Sequence, residues 1–220
     1  MREKLSSMEL AMMRKAAAMR WPIHGSLELT PLCNMNCDMC YIRLSPTEMA
    51  ARGKLRTVNE WIALSEQMQR AGVLFLLLTG GEPLLYPGFK ELFTHLKKAG
   101  MILTVNTNGT LIDEEWADFF QKYKPRRMNI TLYGADDQAY EQLCHYPGGF
   151  QKTVNAVRLL RDREIDVKIN GSITSKNEEN IRKILDIADD LDAAVNLDTY
   201  MYPASRERNK PFDEQSRMNP

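Results

Sequence analysis

Cys33, Cys37 and Cys40 stand within eight residues of one another and give the spacing CxxxCxxC. Three thiolates so placed can each take one iron of a four-iron cluster and leave the fourth iron without a protein ligand, open to a substrate or cofactor. The intervening Asn34, Met35, Asn36, Asp38 and Met39 include no β-branched residue, so a tight loop can wrap such a cluster. The same trio joined by a fourth ligand such as His24 would instead make a structural zinc site, a plainer reading of the spacing. Two further segments carry unusual polar residues, Gly80-Gly81-Glu82-Pro83 and Asn106-Thr107-Asn108-Gly109. A glycine pair by itself only permits a turn, so what these segments do depends on where the chain puts them.

Hydrophobic periodicity supplies that placement. Leu5, Met8, Met12, Ala16 and Met19 recur at helical spacing after a capping-box pattern at Ser6 and Glu9, and Trp21-Pro22 ends the helix. Ser26 to Thr30 reads as a short strand, with Pro31 leading into the cysteine loop. Thr57 with Glu60 starts a helix carrying Trp61, Leu64, Met68 and Ala71, and Gly72 stops it. The apolar run from Val73 to Thr79 then predicts a strand buried in a parallel sheet. Helices follow around Phe89–Leu96, after Asp113, around Phe150–Leu160 and around Ile181–Leu191. Strands alternate with them at Met101–Asn106, Met128–Leu132, Ile165–Ile173 and Ala194–Thr199. Six strands alternating with helices define an α/β fold, a partial (β/α)6 TIM-like barrel of parallel strands preceded by an N-terminal helix. In such folds ligands sit at the C-terminal ends of the strands. The cysteines, the Gly-Gly-Glu-Pro segment and the Asn-Thr-Asn-Gly segment follow the first, second and third strands, so all three converge there.

The expected organisation is a lead-in over 1–25, a catalytic core over 26–202 and a polar tail or linker over 203–220. Lys plus Arg and Asp plus Glu both number 29. A formal charge of zero provides no global field for nucleic acid or anionic lipid, and neither is expected as a partner. The longest apolar run, Val73 to Leu78, is far too short to span a bilayer. A cytoplasmic location follows, and in that reducing compartment a tight group of cysteines marks a metal site, not a disulfide framework. Cys144, outside the trio, is expected to be a small buried residue.

The motif of Cys33, Cys37, Met39 and Cys40 resembles the CxxxCxΦC signature of the radical S-adenosylmethionine (SAM) superfamily. The resemblance extends over about Leu27 to Tyr200: Thr79-Gly80-Gly81-Glu82-Pro83-Leu84 resembles the family's second motif, and Thr107-Asn108-Gly109-Thr110 a segment common in its peptide- and protein-modifying branch. It implies two cofactors, a [4Fe-4S] cluster on the three cysteines and SAM chelated at the open iron. Reductive cleavage of SAM to a 5′-deoxyadenosyl radical would then abstract hydrogen from a peptide or small-protein substrate, with a flavodoxin or ferredoxin as electron donor, in an anaerobic cytoplasm.

The same resemblance places Gly80, Gly81 and Glu82 against the methionine end of SAM, with Asn108 in the neighbouring segment. It puts the Thr131 hydroxyl near SAM, Asn170 or Ser172 at the ribose or carboxylate, and Met39, Tyr41 and Leu197 around adenine. Maturation of a ribosomal peptide is the activity it implies. Sulfatase-maturase or glycyl-radical-activase chemistry is the enzymatic alternative, although Tyr133 and Leu143 stand where sulfatase maturases carry an aspartate and an arginine. A non-catalytic iron-sulfur redox sensor is the alternative of another class.

Overall fold

In the computed structural model, which describes residues 7–200 with 211, 214 and 215, two faces of one sheet separate the core from the site. The strands are β1 (His24–Glu28), β2 (Phe75–Thr79), β3 (Ile102–Thr107), β4 (Arg127–Thr131), β5 (Val167–Ser172) and β6 (Ala194–Asp198). They lie in the order β1-β2-β3-β4-β5-β6, and every neighbouring pair is parallel. Side chains alternate across a strand. Leu27, Leu76, Leu78, Leu103, Val105, Met128, Ile130, Val167 and Ile169 are buried on one face. The opposite face of β3 to β6 carries Asn106, Asn129, Thr131, Lys168, Asn170, Ser172, Asn196 and Asp198, none of them fully buried. The sheet is therefore an open partial barrel with an apolar outside and a polar inside.

The helices are α1 (Ser7–Met19), α2 (Pro46–Arg52), α3 (Val58–Ala71), α4 (Phe89–Lys98), α5 (Glu114–Lys122), α6 (Asp137–Cys144), α7 (Gly149–Asp162) and α8 (Ile181–Asp190), of which α4, α7 and α8 pack directly on the sheet. The α3 boundaries follow from local chemistry. Thr57 and Glu60 complete a reciprocal capping box, and Gly72 takes the left-handed conformation at the C-terminal end. Between α4 and α5, Phe89, Phe93, Trp116, Phe119 and Phe120 pack with ring centroids 5.4 to 6.2 Å apart, mostly edge to face.

Two helices escaped the periodicity, α2 and α6. Both carry start signals: a capping box of Ser45 and Glu48 for α2, and Asp136 accepting from the Ala139 N–H for α6. The buried stripe of α1 also differs from the expected one. Met8 is 72% and Met19 53% exposed while Ala16 is buried, and Glu9 turns inward to pair with Arg126 at 2.7 Å. Leu5, Ser6 and, apart from three residues, the 203–220 tail lie outside the described residues. No helix among the described residues is long and apolar enough to cross a membrane.

Candidate active site

The loops leaving β1 and β2 are stitched together by backbone bonds that continue the sheet beyond its last residues. Leu29 N–H donates to Thr79 O at 2.9 Å, Gly81 N–H to Thr30 O at 2.7 Å and Glu82 N–H to Leu32 O at 2.8 Å. This approach is why position 80–81 needs glycine. A Cβ at Gly80 would lie 2.5 Å from Thr30 O and one at Gly81 2.4 Å from Leu32 O, and Gly80 has φ +152°. The pair holds the second loop flush against the cysteine loop.

Glu82 locks the third loop to the second. Its carboxylate, 0% exposed, accepts from Leu84 N–H at 3.0 Å, Thr107 Oγ1 at 2.8 Å and Asn108 N–H at 2.9 Å. Burial pushes the carboxyl up to about 7, against the three donors that favour its ionised form. The next link runs back to the cysteines. Asn108 Nδ2 donates to Asn34 Oδ1 at 2.9 Å and lies 3.7 Å from Cys33 Sγ, while Asn34 Nδ2 donates to Thr110 Oγ1 at 2.8 Å. The Thr107-Asn108-Gly109-Thr110 segment is thus a clamp on the cysteine loop. On the far side, Asp38 is held by His145 at 2.8 Å and Lys176 at 2.6 Å, and buried Asn177 ties Tyr133 O to Ser172 O with one amide at 2.7 and 2.9 Å.

These loops and the polar face of the sheet enclose a cavity of about 490 Å³, within the roughly 300–1,000 Å³ of small-molecule sites. Cys33, Cys37 and Cys40 line it together with Met39, Tyr41, Gly80, Gly81, Asn108, Thr131, Asn170 and Ser172. Two expected residues stand elsewhere. Glu82 lies beneath the cavity wall, with its oxygens occupied by the three loop donors. Leu197 points to the opposite face of β6, where its Cδ2 would lie 2.4 Å from a Cβ at Gly171, so strand parity gives the cavity Asn196 and Asp198. Asn106, Lys168 and Tyr200 also line it. For Asn106, Lys168, Asn196 and Asp198 the sequence signal is the polar member of each alternating pair in β3, β5 and β6, whereas Tyr200 lies beyond the end of β6.

The donor set fits an iron-sulfur cluster. Each of two thiols already receives a backbone N–H: Met35 donates to Cys33 Sγ at 3.4 Å and Arg43 to Cys40 Sγ at 3.3 Å. Burial, with the neighbouring Glu82 and cysteines, pushes the Cys33 thiol up to about 12 against the Met35 N–H, so metal binding there must release protons. Among the described residues no three His, Cys, Asp or Glu side chains gather round a point that could hold one metal ion. Cluster thiolates each bind a different iron and stand apart. The zinc alternative fails on position: His24 opens β1 at the end away from the cysteines, its ring stacked on Phe75 at 4.9 Å.

The chain matches the Radical SAM superfamily profile over residues 27–191. It is 29% identical to the AdoMet-dependent heme synthase of Methanosarcina barkeri, over 81% of this chain and 50% of that protein. To the antilisterial bacteriocin subtilosin biosynthesis protein AlbA of Bacillus subtilis it is 28% identical, over 78% and 38% of the two chains. The solved structure of Streptococcus suis SuiB superposes with a TM-score of 0.72 at 15% identity, over 93% of this chain and 48% of that one. The chain belongs to the radical SAM superfamily, enzymes whose cofactors are a 4Fe-4S cluster and SAM. It spans about half or less of the length of these relatives.

Proposed function

We propose that residues 26–202 form the catalytic core of a cytoplasmic radical SAM enzyme that modifies a peptide or small protein under anaerobic conditions. The observation that carries this reading is the convergence, in one cavity, of three thiols, the Gly80-Gly81 backbone and the polar inner row of β3 to β6. When bound on Cys33, Cys37 and Cys40, the cluster supplies the electron that cleaves SAM into a hydrogen-abstracting radical. The protein's own contribution is placement and exclusion of water.

Met35, Met39 and Cys37 are each under 8% exposed and give the thiols an apolar floor. Asn108 orients the loop at Cys33 through its amide. Thr131, Asn170 and Ser172 offer hydroxyls and an amide to a polar ligand in mid-cavity, while Met39 and Tyr41 offer flat or polarisable surface on the cysteine side. Asn196, Asp198 and Tyr200 belong to the opposite end of the sheet and are the residues proposed to meet the substrate. A flavodoxin- or ferredoxin-type donor would supply the electron.

A peptide substrate is supported by similar proteins whose names refer to a bacteriocin (AlbA), a killing factor (the sporulation killing factor maturation protein SkfB) and a peptide (PqqA peptide cyclase). The test is anaerobic turnover with reductant and SAM, with and without candidate precursor peptides. Peptide addition is expected to raise 5′-deoxyadenosine formation and, for a crosslinking enzyme, to produce the two-hydrogen mass loss in the peptide. Turnover that ignores every peptide but responds to a tetrapyrrole would contradict the peptide assignment and leave the cleavage chemistry standing.

A further inference from the structure

Of the described residues that line the cavity, only Lys168 and Asp198 carry a charged side chain. They stand at opposite ends of its polar wall. Lys168 is the second residue of β5, whereas Asp198 closes β6 and pairs with Ser172, further along β5. At about 3.3 Å per residue the two strand positions are about 13 Å apart. The Asp198 carboxylate accepts from Tyr200 N–H at 2.8 Å. Lys168 has no such partner: among the described residues it makes no hydrogen bond or ion pair. Its cross-strand neighbours are neutral, Asn129 on β4 and Ala194 on β6. Asn129 Nδ2 donates to Asn106 Oδ1 at 2.8 Å, and the buried Asn129 Oδ1 takes no donor, so the ammonium does not turn to it. Asp166, which precedes β5, is held by Arg127 at 2.6 Å. A half-buried ammonium with three donors and no counter-charge therefore stands at the floor of the cavity.

We propose that Lys168 is a specificity-determining residue that takes a carboxylate of the peptide substrate, and so sets how far the substrate enters the cavity. The inference rests on the peptide reading of the function. An ammonium withdrawn from bulk water forms its strongest hydrogen bonds with an ionised oxygen acceptor. A ligand that brings the missing charge also removes the cost of leaving a partly buried cation unpaired. Position separates this group from SAM. The cysteines and Gly80-Gly81 belong to loops beyond the C-terminal ends of their strands, and Asn170 and Ser172 intervene along β5 between that end and Lys168. Ala194, exposed and bearing only a methyl group, leaves the β6 side of the lysine uncrowded. Asp198 at the other end repels a second carboxylate, so an acidic group on the substrate is directed to the floor and a neutral or basic one to the mouth.

The experiment measures, by mass spectrometry, which pools of N-acetylated hexapeptides are retained by the immobilised, anaerobically reconstituted full chain in the presence of SAM. Three pools are amidated at the C-terminus and carry one fixed Glu, Gln or Lys among random neutral residues; a fourth carries the Gln and a free terminal carboxylate. The wild type is expected to enrich the Glu pool, for a side-chain carboxylate, or the free-acid pool, for a chain end, about tenfold over the amidated Gln pool. Lys168→Met should bring that ratio to about one, Lys168→Arg should keep it, and Lys168→Glu should turn the preference to the Lys pool. A ratio near one in the wild type, or a preference that survives in Lys168→Met, would overturn the inference. If Lys168→Glu does not fold, the methionine and arginine variants decide by the same criteria. A loss of SAM affinity in Lys168→Met with the peptide preference intact would assign the ammonium to SAM and also overturn it. A wild type that retains guanosine triphosphate or a tetrapyrrole and no peptide from any pool would overturn the peptide reading itself. Peptides retained without regard to charge would overturn this inference alone.

Discussion

Replacing Glu82 with alanine is expected to cost about 3–9 kcal/mol of folding stability, because three buried donors lose their acceptor at roughly 1–3 kcal/mol each. Leu84 N–H, Thr107 Oγ1 and Asn108 N–H all converge on this carboxylate, and no water reaches a group with 0% exposure. Glu82→Gln keeps one acceptor oxygen and should lose less. The proton balance gives a second signature. The unfolded carboxyl releases its proton near 4.5 and the folded one near 7, so between these values the folded state holds the extra proton. Stability therefore falls as pH rises through that window, by about 3 kcal/mol in total, and levels off above it. Urea midpoints at pH 5 and pH 8 measure this. The decline should disappear in Glu82→Gln; an alanine variant within about 1 kcal/mol of wild type, or an undiminished decline in the glutamine variant, would contradict the account.

Gly81→Ala is expected to damage the cysteine loop more than the fold. The added Cβ meets Leu32 O at 2.4 Å, Leu32 C at 2.8 Å and Pro31 O at 2.8 Å. These are backbone atoms immediately before Cys33, so relief requires moving the segment that carries the first thiol. Overpacking of this kind costs about 1–3 kcal/mol, and iron bound after anaerobic reconstitution should fall several-fold. Gly100→Ala is the control: its φ of +83° makes alanine strained there, but nothing lies within 4 Å of the added Cβ. It should lose stability without losing iron. Equal iron contents in the two variants would mean that the close approach at Gly81 does not set the loop.

Much of this architecture is legible in the sequence because strands and helices carry different periods. The alternation from Ser26 onward places six strands in order, and Thr57, Glu60 and Gly72 fix α3 to the residue. The cysteine loop is legible because its chemistry is local to eight residues. What escapes is set by contacts between distant residues. Glu82 has the type of a ligand for an ammonium group, yet its partners Thr107 and Asn108 lie 25 and 26 residues on and turn it into a lock between loops. Leu197 has the type of an adenine contact, yet its half-buried side chain packs against the core beside Gly171, its partner across β5 and β6, and leaves Asn196 and Asp198 facing the cavity. The α1 stripe misleads because alanine and methionine fill both faces, so periodicity cannot tell Met8 and Met19 from Met12. In α6 the inward residues Tyr140, Leu143 and Cys144 do follow helical spacing, and the Asp136 cap marks the start.

The central claim is that Cys33, Cys37 and Cys40 together hold a cluster that cleaves SAM. Anaerobic reconstitution with iron and sulfide, followed by dithionite and SAM, tests it through the 5′-deoxyadenosine formed by the wild type and by Cys37→Ala. The wild type should yield 5′-deoxyadenosine and methionine in equal amounts, and the variant neither. A wild type that carries a full 4Fe-4S cluster yet leaves SAM intact, or a Cys37→Ala variant that cleaves as well as the wild type, would contradict it.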